Sequence, residues 1–112
     1  VSHNPLGADV LSKHLDTLKC NKHIISGMMN NKDHIGYINY FKNKISSLTT
    51  VDIKSQPNAI SGKELIKKLK NFQNINYKKT ILEAIKSIDL KNNDIIIITG
   101  SCYLAGEVLN LN

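Results

Sequence analysis

Residues 95–98 are four consecutive isoleucines, preceded by Asp94 and followed by Thr99 and Gly100. Side chains of a β-strand alternate between its two faces, so an unbroken apolar run leaves neither face for solvent. Such a run predicts a central strand of a parallel sheet, covered on both sides. Parallel strands need long crossover connections, usually helices. The chain should therefore alternate strands with amphipathic helices.

It does so over most of its length. Leu11, Leu15 and Leu18 recur at helical spacing within 5–18, where Asn4 suits an N-cap and Pro5 the first helical position. His23-Ile24-Ile25-Ser26 reads as a short buried strand closed by Gly27. A second helix is expected over about 32–45, with Ile38, Phe41 and Ile45 on one face, and a weaker strand over 48–53. After the polar loop Lys54 to Ile60, Ser61-x-x-Glu64 forms a capping box that opens a helix to about Lys70, with Leu65 and Leu69 inward. The stretch 71–77 has room for a short edge strand. Tyr77, Ile81, Ile85 and Ile88 mark a further helix, Asn92-Asn93 a turn, and Leu104, Val108 and Leu111 a last helix from about Cys102. The expectation is one α/β domain, a Rossmann-like, doubly wound and mostly parallel sheet. Only Val1 and Ser2 stand where a preceding strand should end, so the first strand of such a sheet is expected to be missing, leaving an edge prone to pairing.

Composition narrows the function classes. No apolar run nears the ~20 residues of a membrane-spanning helix, and no basic-then-apolar leader opens the chain. Cys20 and Cys102 lie far apart and form no CxxC, which fits a reduced, cytoplasmic setting. The formal net charge is +6, yet all fifteen basic residues are lysine. Without arginine's bidentate fork, base-edge recognition is disfavoured. Sixteen isoleucines and fourteen asparagines accompany the lysines, a bias that an AT-rich genome produces. No two histidines show metal-ligand spacing, and neither GxxxxGK[ST] nor GxGxxG occurs. No Ser/His/Asp set is apparent.

Doubly wound sheets bind ligands outside the carboxyl ends of their strands, where loops enter helices. Three segments fall on that edge: Ser2 to Pro5, Gly27 to Asp33, and Gly100 to Tyr103. This topology would bring His3, Lys32 and Ser101 together beside helix N-termini that favour anions. Taken alone, Asn4 also reads as a plain cap, Lys32 as solvated surface and Ser101 as a turn residue.

As a set, the loops resemble a known family. His3-Asn4-Pro5-Leu6-Gly7-Ala8 resembles the HNPxGA motif of folylpolyglutamate and dihydrofolate synthases, in the Mur ligase superfamily. Gly27-Met28-Met29-Asn30-Asn31-Lys32-Asp33 resembles the family's G-(M/I)-L-x-D-K-D loop, with Asn31 in place of the usual aspartate. Thr99-Gly100-Ser101-Cys102-Tyr103-Leu104, with Gly106-Glu107-Val108, resembles its T-G-S-L-Y-L-x-G-E-V ending. Order and spacing match over essentially the whole chain. The resemblance implies a C-terminal domain, residues 1–112, of a ligase that phosphorylates a folate carboxylate with ATP and joins glutamate to it. It places His3 and Asn4 near the nucleotide and Lys32 and Ser101 on the glutamate, with Gly27, Asp33 and Gly100 shaping the loops. ATP and Mg²⁺ would be held mainly by a central P-loop ATPase domain absent from this chain, so the chain alone should be inactive. The motif's acidic residue three places before the histidine would precede Val1. Partners would be folate, glutamate and the ATPase domain, not nucleic acid or membrane. The alternatives are a non-catalytic nucleotide- or protein-binding module, a lysine-rich nucleic-acid binder using the 63–79 face, and a peptidoglycan Mur ligase domain.

Overall fold

A computed structural model describes residues 11–69 and 72–100. Residues 11–15 are helical and are followed by strand β1 (Lys22–Ser26), helix α1 (His34–Asn39), strand β2 (Ser47–Thr50) and helix α2 (Gly62–Lys68). Strand β3 (Ile75–Tyr77), helix α3 (Ile81–Ser87) and strand β4 (Ile95–Thr99) complete the order. All strand pairs are parallel, and the sheet order is β3-β2-β1-β4. The fold is thus the expected α/β alternation.

Capping chemistry fixes the helix starts. Asp33 accepts from Gly36 N at 3.0 Å, Ser61 Oγ from Glu64 N at 3.2 Å, and Thr80 Oγ1 from Glu83 N at 3.1 Å. Each side chain satisfies an N–H that the first turn leaves unpaired.

Register builds the two cores. Ile24 aligns with Ile97 and Leu48, and Leu48 with Ile75, so these side chains share one face. That face packs with Tyr37, Ile38 and Phe41, from α1 and just beyond it, and with Leu65 and Leu69, from α2 and its cap. Ile25, Ile96 and Ile98 face the other way, against Ile81 and Ala84 of α3. The split follows from crossover handedness. The passages β1 to β2 and β2 to β3 step in one direction, whereas β3 to β4 returns past β1, so right-handed connections place its helix on the opposite face.

Several expectations need correction. The isoleucine strand is not central: among the described residues β4 pairs with β1 alone, and Ile95 to Ile98 remain partly exposed. The interior positions belong to β2 and β1, and Ile24 and Ile25 of β1 are fully buried. Helix α1 stops at Asn39, well short of 45, because the chain turns through Asn43 at φ +67°. Strand β2 ends at Thr50 instead of 53, and Tyr77 ends β3 instead of opening a helix. The short edge strand in 71–77 is present as β3. The expected first-strand gap, the start of the first helix and the last helix lie outside the described residues. Among those described, no helix is long and apolar enough to cross a membrane.

Candidate functional site

The strand order locates the crevice. From β1 the chain steps to β2 and β3 on one side, then returns to place β4 on the other side of β1, so the strand order reverses between β1 and β4. This is the topological switch point at which open α/β sheets bind ligands. Gly27 follows β1 there and Gly100 follows β4.

Backbone proximity accounts for both glycines. A Cβ on Gly100 would lie 2.6 Å from Ser26 Oγ and 2.7 Å from Gly27 O, and its φ of +116° is one that L side chains rarely adopt. A Cβ on Gly27 would lie 3.0 Å from Ile53 Cγ1 and 3.2 Å from Val51 O. Two loop starts are therefore pressed together at the edge. Beside them Ser26 Oγ is buried and has no hydrogen-bond partner among the described residues. Beneath them Tyr37 and Thr99 share a buried side-chain hydrogen bond that ties α1 to the end of β4.

The loop after Gly27 is stitched to the loop that follows β2. Asn30 N donates to Asn58 O at 2.9 Å and Ile60 N to Met28 O at 3.0 Å, around an antiparallel bridge between Met29 and Ala59. Between the two loops lies a cleft of about 410 Å³, lined by Met29, Asn30, Asn31, Pro57, Asn58 and Ala59. Its side chains offer amide donors and acceptors and no charge. Lys32, the next residue, is exposed and brings the cation. Asp33 is occupied as the cap of α1. Of the residues picked out in the sequence, Gly27, Lys32, Asp33 and Gly100 lie on this one edge. His3, Asn4 and Ser101 lie outside the described residues.

Two polar clusters were not legible in the sequence. On the same edge, Asp52 accepts from Gly62 N at 2.7 Å and from the Tyr77 hydroxyl at 2.8 Å. Burial, followed by this hydrogen bond and the charges of Asp52 and Glu83, pushes Tyr77 up to about 12. At the opposite, amino-terminal edge, His23 Nδ1 lies 2.7 Å from Ser47 Oγ and its Nε2 3.8 Å from Asp94. This places serine, histidine and aspartate in one line, which sequence spacing did not reveal. Cross-strand register produces it, since His23 pairs with Ser47 on one side and Ile96 on the other. It is remote from the switch point and ties three strands together. Among the described residues no cluster of histidine, cysteine and carboxylate groups could hold a metal ion.

The family model described as Mur ligase, glutamate ligase domain matches residues 1–102. No curated protein matches the chain in sequence. Solved structures of similar fold include Mycobacterium tuberculosis folylpolyglutamate synthase complexed with ADP, at TM-score 0.87 and 20% identity over 99% of this chain and 28% of that one. E. coli FolC in complex with ADP, without folate substrate, superposes at TM-score 0.83 with 22% identity over 99% of this chain and 27% of that one. The bifunctional folylpolyglutamate synthase/dihydrofolate synthase of Yersinia pestis, complexed with AMPPNP and Mn ion, gives TM-score 0.87 and 20% identity over 99% and 27%. The chain thus spans little more than a quarter of these proteins' length. At such identities the likeness shows the fold.

Proposed function

The chain belongs to the Mur ligase family's glutamate ligase domain, and on that premise we propose that it is the C-terminal domain of an ATP-dependent ligase adding glutamate to folates. The observation that carries the reading is the switch-point crevice. Gly27 and Gly100, from two of the three family-like motifs, meet there, with Lys32 on the same edge. The neighbours described above include ADP and AMPPNP complexes of folylpolyglutamate synthases, which supports nucleotide use by the whole ligase.

In this reading the domain orients reactants and carries no catalytic residue. Lys32 would attract the incoming glutamate's carboxylate and Ser101 would hydrogen-bond it, holding the amine toward a folate acyl phosphate. Positioning of this kind lowers the barrier by removing orientational freedom before reaction. His3 and Asn4 would meet the nucleotide, and Gly27, Asp33 and Gly100 would hold the loops. ATP and Mg²⁺ would be bound mainly by a central P-loop domain acting with this one in the cytoplasm. Residues 1–112 form one domain, and the chain alone is expected to be inactive.

Incorporation of labelled glutamate tests this. The 112-residue chain, given ATP, Mg²⁺, folate and glutamate, should show no turnover. Supplied with the P-loop portion of its ligase, it should turn over, and Lys32→Met should raise the KM for glutamate about tenfold or more, as expected for losing a charged hydrogen bond. Turnover by the chain alone, or an unchanged KM in the variant, would overturn the proposal.

A further inference from the structure

His34 is the first residue of α1 and is 4% exposed, yet it is polar. Its Nε2 lies 2.9 Å from the carbonyl oxygen of Met29. A carbonyl can only accept, so Nε2 carries the proton and donates. Its Nδ1 lies 3.5 Å from Lys68 Nζ, on α2. An ammonium can only donate, so Nδ1 is the unprotonated nitrogen. The two contacts match the tautomer with its proton on Nε2 and set the ring between the loop after β1 and α2.

Met29 is where that loop turns. Its carbonyl also faces Lys32 N at 3.4 Å, and its own backbone bridges to Ala59. The His34 ring therefore grips the loop from the helix side, while Asn58 O and Ile60 N grip it from the β2 side. Lys32 lies between Met29 and the Asp33 cap, so both ends of its segment are anchored and its side chain is exposed.

We infer that His34 is a positioning residue, whose Nε2–H bond to the Met29 carbonyl holds the Gly27–Asp33 loop so that Lys32 is presented at the switch-point crevice. The inference rests on the reading of Lys32 as the contact for the amino acid carboxylate. His34 touches no reactant; it acts through the loop.

The test uses the full 112-residue chain and nuclear magnetic resonance. Ring ¹⁵N shifts should report a protonated Nε2 and an unprotonated Nδ1 at neutral pH. His34→Leu should speed amide exchange at Asn30 and Lys32 by roughly tenfold, the loss expected of one buried hydrogen bond. The amide of Ala84, bonded to Thr80 O at 3.0 Å in α3, should stay unchanged. His34→Gln, whose amide can reach the Met29 carbonyl, should restore most of the protection. Lys68→Met, at an exposed position, should move the Nδ1 signal and leave the fold intact. Equal acceleration at Ala84, no rescue by glutamine, or a protonated Nδ1 in the native chain would each overturn the inference. Titration with L-glutamate is a separate arm. A native chain whose Lys32 signals ignore glutamate, while the His34 variants behave as expected, counts against the proposed function and not against the loop's anchor.

Discussion

Gly100 shows how one missing methyl group shapes the candidate site. Its φ of +116° and the 2.7 Å approach of the absent Cβ to Gly27 O leave no room for a side chain. Gly100→Ala should destabilise the chain by about 2 kcal/mol or more, read as a lowered urea midpoint with unchanged slope. Asp94 controls the other edge. Its carboxylate accepts from Lys91 N at 2.9 Å and from Asn21 N at 3.3 Å, with His23 nearby. The Lys91 bond foremost, then the Asn21 bonds and the His23 charge, hold it below the ordinary value of 3.8. A depressed carboxylate favours the folded state above its unfolded pKa, and that contribution is lost as pH falls through the folded one. Unfolding midpoints should therefore drop below about pH 4, and Asp94→Asn should flatten that limb. A variant with the native acid profile would show that Asp94 is not the group responsible. The motif residues Gly27, Lys32 and Gly100 were legible in the sequence because loop glycines and a lone loop lysine need only local context. His34 was not, because its contact with Met29 depends on how the preceding loop folds back and its contact with Lys68 on where α2 packs.

At the scale of elements, cap residues carried the clearest signal. Ser61-x-x-Glu64 predicts the start of α2, and Ser61 Oγ does accept from Glu64 N. Ser61→Ala should cost about 1 kcal/mol in a chemical denaturation experiment, whereas Ser61→Asp should be nearly neutral. Element lengths were less legible. The apolar spacing of Ile38, Phe41 and Ile45 suits a helix to 45, yet α1 ends at Asn39. Turns follow, in which Lys44 N bonds to Phe41 O at 3.0 Å and Asn43 takes a left-handed conformation. Helical spacing records which side chains are buried, and a tight turn that keeps Phe41 in the core satisfies the same pattern.

For the whole molecule, the position of β1 decides both stability and site. It pairs with β2 and β4, and Ile24 and Ile25 contribute to the two opposite cores. Native-state hydrogen exchange should find the slowest amides in β1 and the fastest strand amides in the three-residue β3 at the sheet's edge. Faster exchange in β1 than in β3 would contradict this order of stability. The amino-acid sequence by itself determined the alternation of strands and helices, the caps, and the sharing of one sheet edge by Gly27, Lys32 and Gly100. These follow from local periodicity and from chain direction in parallel sheets, both of which reside in neighbouring residues. Only the tertiary structure decided that β1 and β2 are interior and the isoleucine strand lies beside β1, because strand order depends on which way each crossover steps. It also decided the meeting of His23 with Ser47 and Asp94, and of His34 with Met29 and Lys68. Those contacts join residues whose sequence separation carries no periodicity, so packing alone brings them together.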